Sequence, residues 1–203
     1  MKKRTRLLIK HSLDRIVASL LLLLFFVPLL VLSIILAIYY KSNPFYCAER
    51  AGINGKLFKQ YKFKSMYDVE DNEKNGDIDR VSPLGSFLRS WSIDELPQLI
   101  NIVKGDISFI GPRPLTPEYI PLYSDREKKR LNVKPGLTGL AQVKGRNSLS
   151  WKEKFLFDIQ YVEEMTLLLD LKICLQTVKI VLNREGVQQD EAITSERFNG
   201  HDT

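Results

Sequence analysis

From Leu20 to Tyr40 the chain runs "LLLLLFFVPLLVLSIILAIYY", 21 residues without a charge. As a helix, such a run is long enough to cross roughly 30 Å of hydrocarbon. It is too long for the apolar part of a signal peptide, and no small-x-small cleavage site follows it. Two features set it apart from a simple span. Pro28 interrupts the backbone ladder in mid-run, with Ser33 placed to restore part of it. Both flanks are basic: "MKKRTR" precedes the run, and Lys41, Arg50, Lys56, Lys59, Lys62 and Lys64 follow it. Cytoplasmic loops are enriched in Lys and Arg, so this pattern asks for both ends on one side. A helix bent at Pro28 that enters and leaves by the same face meets that demand. Proline also occurs in ordinary spanning helices, so the residues alone leave re-entrant and spanning forms open.

Charge and composition narrow the partners. The net charge of +6 is uneven, with a basic block at the start and Glu185, Asp190, Glu191, Glu196 and Asp202 near the end. A basic chain suits nucleic acid, a membrane surface or anionic substrates, and because the basic block abuts the apolar run, the membrane is favoured. No zinc spacing, RNA-binding aromatic signature or internal repeat is present. Cys47 and Cys174 are the only cysteines. They make no disulfide framework, and Cys174 is expected in the core. The two histidines, His11 and His201, leave little room for a Ser-His-Asp or Cys-His site.

The remainder predicts an α+β chain, mostly helical, with one short hairpin. Residues 44–66 carry the hairpin, turning at Asn54-Gly55. Beyond the turn, strand alternation puts Leu57, Tyr61 and Phe63 on one face and Phe58, Lys62 and Lys64 on the other. Residues 68–80 form a polar loop. Leu84, Phe87, Leu88 and Trp91, then Leu96, Leu99, Ile100 and Val103, fall at helical spacing, and Gly105 closes the second piece. "GPRPLTPEYIPLY" is a stiff irregular loop. Ser150 to Glu153 opens a helix with Trp151, Phe155, Ile159 and Val162 inward. A last helix from about Asp170 to Gly186 turns Leu171, Leu175, Val178 and Leu182 inward. Three segments result: a basic start and membrane helix over 1–41, a catalytic domain over 42–186, and a flexible acidic tail over 187–203.

Within the domain, "WSIDELPQLI" sets Asp94 and Glu95 side by side in apolar surroundings. Ser92 to Glu95 fits a capping box, which places Pro97 in the second turn. If Asp94 caps instead, Pro97 falls in the first turn, where no donor is needed, and the acids lie at a helix mouth that attracts anions. Arg113 in "GPRP", Arg146 in "KGRN" and Arg89 just upstream stand beside conformationally special residues. Arginine grips phosphate with a planar fork. Each alone fits a surface ion pair. Together with Lys62 and the acids they point to phosphate esters and a divalent metal: Mg²⁺ uses few carboxylates plus phosphate oxygens. One acid is then free to attack or to move a proton.

The segments "YKFKSM", "RSWSIDELPQLINIVKGDISFIGPRPL", "VKPGLTGLAQVKGRN" and "LDLKI" resemble, in order, the bacterial sugar transferase family, the small monotopic phosphoglycosyl transferases of glycoconjugate assembly. The resemblance runs over about residues 8–185. It implies transfer of a sugar phosphate from a UDP-sugar to undecaprenyl phosphate, giving undecaprenyl diphosphosugar and UMP. The setting it implies is the cytoplasmic face of the bacterial inner membrane, feeding downstream glycosyltransferases of polysaccharide or protein glycosylation. Asp94 is then the nucleophile that holds the phosphosugar, and Glu95 assists with Mg²⁺ or a proton. Lys62, Arg89, Arg113 and Arg146 contact phosphate. Asp170 pairs with a basic residue, and Asp14 in "HSLDRI" pairs with a basic neighbour at the interface. The family's re-entrant helix breaks at a Ser-Pro pair, where this chain has Val27-Pro28. Larger relatives carry extra membrane helices and a further domain; this chain resembles the minimal form. The rival is a non-catalytic membrane assembly factor that binds lipid or nucleotide-sugar, against which the intact acid pair argues.

Overall fold

The computed structural model describes residues 3–68, 80–145, 148–183 and 197–200. The fold is mostly helical with little sheet. Two N-terminal helices, α1 (Lys3–Leu24) and α2 (Phe26–Tyr40), meet at a 65° bend. No single described helix is long and apolar enough to cross a membrane, whereas this bent pair together has the length and composition. The bend lies at Phe25, three residues ahead of the expected break at Pro28. Pro28 thereby falls in the first turn of α2, where a missing N–H is tolerated. Phe25 still donates to the Leu21 carbonyl at 2.9 Å, and Leu29 to that of Phe25 at 2.9 Å. Ser33 Oγ donates to the Leu29 carbonyl at 2.7 Å, so it bonds within its own helix rather than at the break.

The hairpin forms as expected, from β1 (Phe45–Ala51) and β2 (Leu57–Phe63), antiparallel with Phe45 opposite Phe63. Asn54 and Gly55 take φ of 55° and 76°, the left-handed backbone that Asn-Gly supports. The helices α3 (Pro83–Ser90) and α4 (Gln98–Lys104) follow. Ser82 caps α3 by accepting from the Gly85 amide at 2.8 Å. Gly85 presses on β2's exit so closely that a Cβ would land on the Ser65 carbonyl. A second sheet was not expected: β3 (Ser108–Ile110) pairs in parallel with β4 (Gly136–Thr138). Strands of three residues are too short to show alternation. The helices α5 (Leu140–Lys144), α6 (Trp151–Glu164) and α7 (Leu167–Asn183) follow. Ser150 and Glu153 close the reciprocal capping box at the start of α6.

Both N-terminal helices seat on the same body. Ala18 of α1 is buried with Leu99, Ile102 and Ile107, and Leu36 of α2 with Phe63 and Leu88. Fully burying a Leu contributes about 1.5–3 kcal/mol, so these contacts fix the helix pair against α3, α4 and β2. Lys10 Nζ also donates to Asp170 Oδ2 of α7 at 2.8 Å, almost wholly buried. Asp14 Oδ2 accepts from Ser108 Oγ at 2.6 Å, and His11 Nδ1 lies 3.6 Å from it.

Three expectations are corrected. On α7, the row read as inward faces out: Leu171, Leu175, Val178 and Leu182 are 52–66% exposed, and Asp170 and Ile173 are the buried residues. Cys174 is exposed with them. Within the tail expected to be loose, Phe198 is buried among Tyr123, Phe155 and Trp151, because its ring completes an aromatic cluster. The polar loop expected over 68–80 lies outside the described residues except at its ends.

Candidate active site

The acid pair occupies a single 3₁₀ turn, Ile93–Glu95, between α3 and α4. Ser92 sits at φ 55°, a left-handed kink that turns the chain out of α3. An N-cap needs extended backbone, so the Ser92 capping box does not form, and Ser92 makes no side-chain cap bond. Asp94 does not cap α4 either: α4 starts at Gln98, behind Pro97. The two acids therefore stand one 3₁₀ turn ahead of that helix. With three residues per turn, neighbouring side chains diverge. Asp94 turns inward to 7% exposure. Glu95 turns toward β2, where its Oε1 takes a hydrogen bond from Lys62 Nζ at 2.6 Å.

Around them the cations converge. Arg113 Nη2 lies 3.7 Å from Glu95 Oε1. Arg89 Nε donates to Ser65 Oγ at 3.0 Å, which aims its guanidinium along the same wall. Lys62, Arg89, Asp94, Glu95 and Arg113 all line one cleft of about 1110 Å³. Burial, first of all, pushes the Asp94 carboxyl up to about 6; Lys62, Arg89 and Arg113 pull it back, and Glu95 adds to the rise. The site thus offers a poorly solvated carboxyl facing cations, beside a second carboxylate already held by a lysine. Arg146 lies outside the described residues. Asp14, Asp170 and Pro28 do not line the cleft; Asp14 and Asp170 instead tie α1 to the body.

Backbone ties set the position of the acid turn. Asn101 Nδ2 donates to the Lys59 carbonyl at 2.7 Å, and Asn101 Oδ1 accepts from the Tyr61 amide at 3.1 Å. Gln60 Nε2 donates to Gln98 Oε1 at 2.8 Å. These bonds clamp α4 to β2, and so Glu95 to Lys62. On the opposite wall, Arg130 and Asp158 form an ion pair at 2.8 Å with side chains only 3–4% exposed. Arg130 Nη2 also donates to the Arg113 carbonyl at 2.6 Å, and Nη1 to Tyr123 Oη at 3.0 Å. Sequence reasoning missed this support. Its one available signal was Asp158, a charge on the apolar face of α6 between Phe155 and Val162.

Among the described residues, no three His, Cys, Asp or Glu side chains converge as a metal cage. The donor set is the adjacent carboxylates Asp94 and Glu95. Two hard oxygen donors fit a Mg²⁺ that completes its shell with water and phosphate oxygens.

Comparison with known proteins finds relatives over most of the chain. A curated sugar transferase of Bacillus subtilis, EpsL, itself uncharacterised, is 48% identical over 161 residues, covering 78% of this chain and 80% of that protein. The undecaprenyl-phosphate galactose phosphotransferase of Salmonella typhimurium is 36% identical over 91% of this chain, which spans only 42% of the Salmonella protein. The UDP-glucose:undecaprenyl-phosphate glucose-1-phosphate transferase of Caulobacter vibrioides is 38% identical, over 87% of this chain and 71% of its own length. The sequence profile of the family described as "Bacterial sugar transferase" matches residues 5–184, a stretch that holds the bent helix pair, the acid turn and every cation of the cleft. This chain belongs to the bacterial sugar transferase family.

Proposed function

We propose that this chain transfers a sugar phosphate from a UDP-sugar to undecaprenyl phosphate at the cytoplasmic face of the inner membrane. The observation that carries the proposal is the buried Asp94 in a cationic cleft, on a turn held between the two halves of a bent apolar helix pair. In the first half-reaction an Asp94 carboxylate oxygen bonds to the β-phosphorus. The bond from that phosphorus to the bridging oxygen breaks, and UMP leaves with the electron pair. In the second, a phosphate oxygen of the lipid bonds to the same phosphorus and restores the Asp94 carboxylate. Two displacements at one carboxylate give ping-pong kinetics.

Asp94 suits this task better than Glu95. A desolvated carboxyl of raised basicity is the stronger nucleophile, whereas Lys62 already holds Glu95. Lys62, Arg89 and Arg113 set positive charge against the phosphates. Asp94 and Glu95 would hold Mg²⁺, which supplies charge neutralisation at the phosphoryl oxygens when bound. Chelation should therefore abolish transfer and added Mg²⁺ restore it, measured as UMP release. Full activity in excess chelator would remove the metal from the account.

The membrane reading is re-entrant. As a helix the 15 residues of α2 extend only about 22 Å, short of the roughly 30 Å hydrocarbon core. Ala18 and Leu36, on opposite sides of the bend, both pack on the catalytic body, which calls the two ends back to one face. That placement brings a water-soluble donor and a lipid phosphate to the same acid turn. Cys47 and Cys174 are exposed and would be replaced by Ser first. Single cysteines at Lys3 and at Lys56 should then both react only from the cytoplasmic side; labelling from opposite sides would refute the re-entrant form.

The function itself is tested by supplying purified protein with a panel of UDP-sugars, undecaprenyl phosphate and Mg²⁺. Lipid-dependent UMP release from one donor is the expected result and names the sugar. A protein that binds the lipid yet releases UMP from no nucleotide-sugar would favour the assembly-factor reading.

A further inference from the structure

The family match ends at residue 184, yet a side chain beyond it packs behind Trp151 and Phe155, which line the cleft. Phe198 is 3% exposed. Its ring packs edge-on to Phe155 at 5.0 Å and to Tyr119 at 5.7 Å, and lies 5.5 Å from Trp151 and 6.1 Å from Tyr123. Gly200, at φ 83°, turns the segment against Leu122. Tyr123 and Phe155 are the two rings over which the Arg130 guanidinium sits, 5.6 Å from each centroid. Arg130 in turn holds the Arg113 carbonyl, and Arg113 faces Glu95. A continuous path of contacts thus runs from Phe198 through the rings and Arg130 to a cation of the active site.

We propose that Phe198 is a positioning residue: it wedges the Tyr123–Phe155 pair beneath Arg130, and thereby fixes Arg113 for the diphosphate of the nucleotide-sugar. The inference rests on the proposed function for its ligand. Aromatic packing of this kind contributes beyond area alone, and a guanidinium over a ring is attracted to its face. Without Phe198 the rings gain room to tilt and Arg130 loses its bed. The Arg130–Asp158 ion pair remains, so the domain keeps its fold while the Arg113 loop loosens.

The test uses the full chain with Phe198→Ala and, as the variant that keeps apolar bulk, Phe198→Leu. In ping-pong kinetics kcat/KM for each substrate reports its own half-reaction. Phe198→Ala is expected to lower kcat/KM for the UDP-sugar 3–10-fold and that for undecaprenyl phosphate less than twofold, with Phe198→Leu within twofold of the parent for both. In an Arg113→Ala background the Phe198→Ala change should add no further loss, because both act on one group. Amide exchange over residues 112–133 should quicken at least tenfold in Phe198→Ala. Equal losses for both substrates, full additivity with Arg113→Ala, or unchanged exchange would overturn the assignment. If the parent releases nucleotide from no donor, the proposed function fails instead, and the exchange measurement alone decides whether Phe198 holds the loop.

Discussion

Asp94→Asn should lower lipid-dependent UMP release by at least about 10³-fold, some 4 kcal/mol of transition-state stabilisation, while the protein stays folded. Asparagine has nearly the volume of aspartate, and its amide is a far weaker nucleophile toward phosphorus. The fold has reason to accept it. Asp94 is buried, and burial opposes its ionised form, so a neutral side chain there relieves a desolvation cost. The variant should unfold at the parent's temperature or above it, and it should still bind nucleotide through Lys62, Arg89 and Arg113. A nucleophile's signature is that combination: chemistry lost, stability and binding kept. If Asp94→Asn released UMP as fast as the parent, Asp94 would not be the attacking group. Glu95→Gln should behave differently. It removes the partner of Lys62 at 2.6 Å, so it disturbs the arrangement of the cleft as well as its charge.

Asp158→Ala is expected to be the most damaging change to stability outside the hydrophobic clusters. It strips the buried Arg130 of the carboxylate oxygen that takes two of its N–H groups, at 2.8 and 3.0 Å. Breaking such a pair from one side costs about 3–5 kcal/mol, because a charge is left buried and uncompensated. For a domain of this size that is a fall in melting temperature of roughly 6–20 °C, read by circular dichroism in detergent. Replacing both members together, Arg130→Met with Asp158→Leu, should recover most of the loss, since no orphan charge remains. Activity should not recover with it, because the Arg113 carbonyl loses its donor. If the single and double variants melted alike, the pair would carry no buried-charge penalty.

Much of the candidate site is legible in the sequence, for a physical reason. Two adjacent acids in an apolar stretch demand an explanation, and arginines beside Pro and Gly mark loops shaped for anions. Asp94, Glu95, Lys62, Arg89 and Arg113 accordingly meet in one cleft. The hairpin and the start of α6 were legible because Asn54-Gly55 and Ser150–Glu153 are local chemistry. The supporting shell was not. Arg130 and Asp158 are 28 residues apart, and nothing near either names the other. Periodicity gave the stripe on α7 and missed its direction: an apolar row at helical spacing looks the same whether protein or lipid is to cover it. The bend at Phe25 rather than Pro28 follows from proline's acceptance in a first turn, which the sequence permits without selecting.

The role proposed for the acid turn rests on one covalent bond, and that bond can be weighed. Purified protein would be mixed with the active UDP-sugar and Mg²⁺ in the absence of any lipid phosphate, quenched, and its intact mass recorded. The account predicts an added phosphosugar on the parent chain, UMP released in equal amount, loss of the adduct when undecaprenyl phosphate is supplied, and no adduct on Asp94→Asn. Transfer that proceeds only when donor and lipid are both present, with no adduct at any time of quenching, would contradict it.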